Sequence, residues 1–399
     1  MTHRTGRRRA ARLLPALAAV ALVAPLSACV DNAPSTDATG TAGAPSSLTV
    51  DSSADACTLS ATTAPSGNLV FTVTNSGADV TEFYLLADDG LRIVAEVENI
   101  GPGLTRDLVL TAPTGTYFTA CKPGMVGDGI RAGFTITDSG EPVGPTGEDA
   151  DLVKEADTQY ASYVRDQVDQ LLVKTQQFAQ LVTERKDDEA RALYADARVH
   201  WERVETVAES FGDLDPQMDA READLEEGDE FTGWHRLEKD LWPERAEDYT
   251  AMTDAERTEI ADKLVADTQT LYDRTRDMTF SASDIANGAK GLLDEVATGK
   301  VTGEEEYWSR TDLWDFQANV DGARVAWEGL RPLLQRKDKA LDEQIATAFT
   351  DLQTLLDAQR KGDGFATYDE LSEDQVKELS DAVNALSEPL SKIAGVILA

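Results

Sequence analysis

This 399-residue sequence predicts a multidomain protein: a small β-sandwich followed by a larger all-helical body, both behind an export leader. Three observations predict it. Between residues 48 and 138, short alternating apolar stretches are separated by turn residues. From about residue 150 onward, apolar residues recur every three or four positions. Between these regions lies SGEPVGPTGED, residues 139–149, a Pro- and Gly-rich linker.

The leader comes first. Arg4, Arg7, Arg8, Arg9 and Arg12 make a basic start, and LLPALAAVALVAPL follows at 13–26. That run falls short of the ~20 apolar residues a membrane-spanning helix needs. A signal peptide over 1–28 is the better reading. The residues Leu26, Ser27, Ala28 and Cys29 resemble a bacterial lipobox, in which the cysteine receives a diacylglycerol and becomes the new N-terminus. The expectation is a protein exported and held by Cys29 at the outer face of the cytoplasmic membrane, or in a periplasm-like space. The Arg7–Arg9 run also admits twin-arginine export. Residues 29–47 are small, polar and rich in Pro and Gly, which suits a flexible, lipidated tether.

The β-domain is read from stretches at 48–50, 69–73, 81–86, 92–97, 106–110, 116–119 and 133–136. Turn signals at 65–67 (PSG), 75–77 (NSG) and 88–90 (DDG) separate them. About seven short strands in so short a span argue for a β-sandwich over 48–138. The helical body, 150–399, is read from a stripe of Tyr160, Tyr163, Val164, Val168, Leu171, Leu172 and Phe178. Similar stripes run through 188–210, 254–277, 303–334, 338–360 and 372–397. Asp187 and Ser283 are expected as N-caps. Roughly eight or more helices should pack as bundles.

Composition limits function. The chain carries 37 Lys and Arg against 73 Asp and Glu. Five arginines leave with the leader, so the mature balance is 32 against 73, a net charge of −41. Nucleic acid is thereby excluded as a partner, since phosphate binding needs a basic surface. Cations are favoured. Nitrogen and sulfur ligands are scarce: beyond the leader the only histidines are His200 and His235, and the only cysteines past Cys29 are Cys57 and Cys121.

Those residues define the candidate sites. The end of the β-domain, from Gly115 through Tyr117 and Cys121 to Met125, resembles the last strands of a cupredoxin. Residues 30–150 hold no histidine, however, and a blue-copper centre needs two histidines with its cysteine. What remains is Cys57, Glu82, Glu96 and Cys121, a set of donors able to hold a divalent ion. A disulfide between the cysteines is the competing reading, permitted outside the cell. The residues leave both open. In the helical half, His235 and Glu238 stand at i and i+3, one helix face able to chelate one ion. His200, Glu202, Glu205 and Glu209 fall at helical spacing upstream, and Asp219, Asp312 and Asp315 are further oxygen donors. Solvated acidic faces would produce many such spacings. No H-E-x-x-H, G-x-S-x-G or Walker loop occurs.

The stretches HWERVETVAESFGDLDPQMDARE, FTGWHRLEKDLW, TDLWDFQANVDGAR and GFATYDELS resemble the imelysin-like helical domain. VTEFYLL, RIVAEVENIGPG and GTYFTAC resemble its cupredoxin-like partner. Together, over about 48–397, the chain resembles the EfeO-type family of iron-uptake lipoproteins. The resemblance implies a cupredoxin-like β-sandwich joined to a pair of four-helix bundles. It implies an iron site of His235 and Glu238, completed by Glu202, Glu205 and Asp219. It also implies a second metal, copper, iron or zinc, at Cys57, Glu82, Glu96 and Cys121. The implied role is capture of Fe²⁺ or Fe³⁺ outside the cell, with transfer to an EfeU-like membrane permease beside an EfeB-like haem peroxidase. No catalytic residue is implied. The alternative is a metal-dependent enzyme of the cell envelope, a metallopeptidase or a metal oxidase.

Overall fold

A computed structural model describes residues 46–90, 92–225, 228–298 and 300–398. Cys29 and the leader lie outside the described residues. The β-domain consists of β1 (Ser46–Ser52), β2 (Cys57–Leu59), β3 (Thr63–Pro65), β4 (Gly67–Asn75), β5 (Thr81–Leu86), β6 (Ile93–Ile100), β7 (Thr105–Ala112), β8 (Gly115–Cys121) and β9 (Ile130–Thr137). They form a four-stranded sheet, β2-β1-β4-β7, and a five-stranded sheet, β3-β9-β8-β5-β6. β1 runs parallel to β4, and β3 parallel to β9; the other pairs are antiparallel. The sequence reading did not anticipate β2 and β3. Each is three residues long, too short to show alternation.

Period-two alternation decides what faces inward. In β4, Leu69, Phe71 and Val73 are fully buried while their neighbours are half-buried. Phe71 meets Phe83 and Phe134 at centroid distances of 5.2 and 5.5 Å, joining the two sheets. Each such phenylalanine contributes about 1.5–3 kcal/mol through burial. Cys57 and Cys121 form a disulfide, with Cα atoms 5.5 Å apart. It ties β2 of one sheet to β8 of the other.

The helical domain comprises α1 (Glu148–Thr183), α2 (Asp187–Glu202), α3 (Leu214–Asp219), α4 (Gly233–Leu241), α5 (Asp254–Thr275), α6 (Ala282–Thr298), α7 (Asp312–Lys337), α8 (Lys339–Ala358), α9 (Glu373–Leu390) and α10 (Ile393–Leu398). α1 packs on α5 and α2, and α4 also packs on α5; α6 packs on α7 and α9, and α8 on α7 and α9. α7 touches both groups. The stripe read on α1 is its buried face: Tyr160, Val164, Val168, Leu171 and Phe178 are all 3 % exposed or less.

Neither expected cap holds. Asp187 is the first residue of α2, and its carboxylate is taken by Arg257. For α6 the capping hydroxyl is that of Ser281, which accepts from the Asp284 N–H at 3.2 Å. Ser283 instead accepts from the backbone N–H of Thr111 at 3.4 Å. Asn287 Nδ2 also donates to the Val109 carbonyl at 2.9 Å, so α6 is where the β-domain docks. Among the described residues no helix is long and apolar enough to cross a membrane.

Candidate metal centre

The centre is built around the start of α4. Gly233 has φ of 80°, and a Cβ there would lie 2.1 Å from the Met218 carbonyl oxygen, so only glycine fits. Thr232 Oγ1 donates to the Gln217 carbonyl at 2.8 Å. These contacts seat α4 on α3 and bring His235 to Asp219. Trp234, Leu237 and Leu241 bury the same short helix against the core, and Trp234 packs on Phe178 at 5.2 Å.

His235 is fully buried, and its two ring nitrogens face different carboxylates. Nδ1 lies 3.2 Å from Glu238 Oε2. Nε2 lies 3.5 Å from Asp219 Oδ1 and 3.6 Å from Glu305 Oε1, and makes no hydrogen bond among the described residues. Two groups of donor atoms within 4.8 Å of one another result: Asp219, His235 and Glu305, and His235, Glu238 and Glu306. The loop before α7 supplies the glutamates. Glu306 receives the Ser309 hydroxyl at 2.6 Å, and its N–H donates to Asp312 Oδ1 at 3.1 Å. Glu238 Oε1 accepts the backbone N–H groups of Trp308 and Ser309 at 2.8 and 2.5 Å. With both its oxygens engaged, Glu238 is suited to orienting the imidazole rather than activating water.

Arg198 of α2, fully buried, stands among Glu202, Asp219, Glu305, Glu306 and Asp315. Trp201 Nε1 donates to Asp219 Oδ2 at 2.7 Å. Lys300 Nζ lies 2.8 Å from Glu202 Oε2 and 2.6 Å from Glu205 Oε2. Asn319 Nδ2 bridges the same two oxygens at 3.0 and 2.7 Å. Asp315 is buried, and neither of its oxygens accepts a hydrogen bond among the described residues.

The charges perturb one another. Burial and Arg198 oppose protonation of His235, but Glu238, Glu305 and Asp219 outweigh them and raise its pKa well above the ordinary imidazole value. Burial, helped by Glu306, pushes Glu238 up to about 7. Burial likewise carries Asp312 to about 7. Burial and the neighbouring Glu202 hold Glu205 well above the usual range. Burial works against Glu305, yet Lys300, His235 and Arg198 keep it below that range.

The cluster has two approaches. A cleft of about 700 Å³ between the domains is lined by Glu98, Asn99 and Met125 of the β-domain and by Asp219, Lys300 and Glu305. A second opening of about 560 Å³ is lined by Arg221, His235, Lys239, Glu305, Tyr307 and Trp308.

Of the residues expected from the sequence, the structure brings His235, Glu238 and Asp219 together. Glu202 and Glu205 sit beside them, bonded to Lys300 and Asn319 rather than turned to the imidazole. His200 lies apart, with Nδ1 2.9 Å from Gln167 Oε1, and burial with Arg203 and Lys174 lowers it to about 4. The side chain of Glu209 lies outside the described residues. Arg198, Lys300, Glu305 and Glu306 were not anticipated. For the two glutamates the one signal is the Glu304–Glu306 run shortly before TDLW.

The expected β-domain site needs correction. The disulfide removes both thiolates of Cys57 and Cys121 from the ligand set. Cys121 pairs with Phe83 and belongs to the inner core, so Glu82, next along the strand, points to the opposite face. There it accepts the Tyr84 hydroxyl, and Tyr84 pairs with Glu96. Cys121 and the glutamates therefore occupy opposite faces of one sheet, and Cys57 belongs to the other sheet.

The imelysin family model matches residues 156–393. The iron uptake system component EfeO of Yersinia pestis is 36% identical over 344 residues, covering 86% of this chain and 88% of that protein. EfeO of Escherichia coli K12 is 35% identical, covering 84% and 87%. An Efem/EfeO family lipoprotein of Staphylococcus haemolyticus is 40% identical over 253 residues, covering 63% and 86%. Among solved structures, a Parabacteroides distasonis protein named as an iron-regulated protein A precursor shares the fold, with a TM-score of 0.50 and 16% identity over 65% of this chain and 97% of that one.

Proposed function

The chain belongs to the imelysin family, in the two-domain form of the EfeO iron-uptake components, and from that premise we propose that it captures iron ions at Asp219, His235 and Glu305 and passes them to a membrane permease. The observation that carries this is His235 Nε2: fully buried, without a hydrogen bond among the described residues, and 3.5 and 3.6 Å from two carboxylate oxygens. A buried polar atom left unpartnered is costly, and a cation at that point removes the cost. One imidazole with several carboxylates is a donor set that suits iron. Glu238 and Glu306, on the Nδ1 side, fix the ring's orientation as outer-shell partners do.

Lipidation at Cys29 would keep this body near the membrane, where an EfeU-like permease receives the ion and an EfeB-like haem peroxidase works alongside. Capture as Fe²⁺ or Fe³⁺ is part of the same reading. Titration calorimetry with Fe²⁺ under anoxic conditions tests the site: His235→Ala should bind at least about 100-fold more weakly than wild type. Unchanged affinity in that variant sinks the assignment.

A further inference from the structure

The carboxylates on the cleft side already hold a cation, and it comes from the chain itself. Lys300 Nζ is 2.8 Å from Glu202 Oε2, 2.6 Å from Glu205 Oε2 and 3.8 Å from Glu305 Oε1. That last oxygen is the one facing His235 Nε2 at 3.6 Å. The lysine therefore touches the same oxygen as the metal cluster. Its side chain is buried, 4 % exposed, and lines the wall of the interdomain cleft.

We propose that Lys300 is an exchangeable counter-cation, and that a multivalent cation entering from the cleft is captured by displacing its ammonium group. The inference rests on the functional reading above. Two features separate Lys300 from Arg198, the other buried cation of the site. Arg198 projects from α2 as a rigid fork held by carboxylates on several sides. Lys300 projects from a short 3-10 turn, Lys300–Thr302, on a flexible four-carbon stem, so it can withdraw without disturbing a helix. The second feature is Asn319. Its Nδ2 donates to both Glu202 Oε2 and Glu205 Oε2. The two carboxylates thus keep a fixed donor when the ammonium leaves.

The exchange also confers selectivity. Buried carboxylates left unpaired are strongly unfavourable, so the ammonium is retained until something replaces it. A monovalent ion offers the same charge as the lysine and no advantage. A divalent ion doubles the attraction at the same oxygens. Sodium and potassium are therefore rejected by a resident +1 charge, while divalent cations displace it.

The test uses the full chain, with Mn²⁺ and anoxic Fe²⁺ as probes. Lys300→Met should bind both at least about tenfold more tightly than wild type, because a competing charge is gone. NaCl should weaken binding in K300M more than in wild type. In the wild type, reductive methylation read by peptide mass spectrometry should leave Lys300 unmodified without metal and modify it once Mn²⁺ is bound. That readout stands even where K300M folds poorly. Weaker or unchanged affinity in K300M, or a lysine equally protected with and without metal, overturns the exchange. A wild-type chain that binds neither ion overturns the functional reading itself, which is a distinct result.

Discussion

Arg198 and Arg257 are both buried guanidinium groups, and α2 supplies a carboxylate to each, Glu202 to the first and Asp187 to the second. They are met differently. Arg257 pairs with Asp187 and Asp240 and donates to the Val182 carbonyl at 3.2 Å. Asp240 also accepts from the Tyr249 hydroxyl at 2.7 Å and the Met252 N–H at 2.8 Å. That cluster is closed. Arg198 stands among five carboxylates, and among the described residues neither Asp315, one of the five, nor His235 Nε2 makes a hydrogen bond. A structural ion cluster satisfies its own groups. The cage at Arg198 carries a surplus of negative charge and unfilled donors, which is what a cation site requires.

The largest expected effect tests that contrast directly. Arg198→Met and Arg257→Met each strand buried carboxylates, and each should cost about 3–5 kcal/mol of metal-free stability. The melting temperatures should part when Fe²⁺ is added under anoxic conditions. R198M should recover much of its loss, since the ion replaces the missing charge. R257M should gain no more from Fe²⁺ than wild type does. Equal recovery in both would erase the distinction between the clusters.

Next in size is the disulfide. Replacing Cys57 and Cys121 together by serine removes a link between residues 64 positions apart and should cost the β-domain about 2–4 kcal/mol in denaturant unfolding. Iron affinity at His235 should not change. If it falls as far as in His235→Ala, the thiols belong to the iron site after all.

Asp315→Asn is gentler. Burial, with Glu202 and Glu306 nearby, raises the Asp315 pKa well above the carboxylate range, so its charged form is unwelcome in the metal-free cage. The amide should raise the metal-free melting temperature by about 2–4 °C while weakening iron binding. Changes of the same sign in both measurements would contradict a cage strained to favour a cation.

The sequence made the two fold classes and the His235–Glu238 pair legible, because strand and helix periodicities are local and the pair shares one helix turn. Asp219 was one acidic candidate among several, and the family resemblance singled it out. Glu305 and Glu306 were hidden because nothing local distinguishes them from solvated acids: they come from a loop that is held to α4 by tertiary contacts, among them the backbone bonds of Trp308 and Ser309 to Glu238. Lys300 was hidden for the reverse reason, since a basic residue is not sought in a cation site. The expected β-domain site fails because the presence of four donor residues does not fix which face or sheet each takes. Strand alternation puts Cys121 and Glu82 on opposite faces, and only the register of β5 with β8 reveals it.

The smallest effect concerns a carboxylate pair outside the cage. Asp157 on α1 faces Asp284 on α6, and Asp157 Oδ1 accepts no hydrogen bond among the described residues. Like Asp315 it leaves a carboxylate oxygen without a hydrogen bond, but among the described residues no third ligand and no histidine joins it in a donor cluster. Burial, then Asp284, carries its pKa from 3.8 to about 7. The folded chain therefore binds a proton that the unfolded chain releases near pH 4. The contribution to stability is full below that pH and is lost as pH rises through 7. Asp157→Asn mimics the protonated form. It should match wild type near pH 4 and exceed it by about 1–2 kcal/mol at pH 8, read from melting temperatures across that range. A gap that stays constant with pH would mean that the proton is not held there. A gap closed by Fe²⁺ would mean that a buried acidic pair alone can act as a metal site, and the contrast between Arg198 and Arg257 would then rest on charge count rather than on the imidazole.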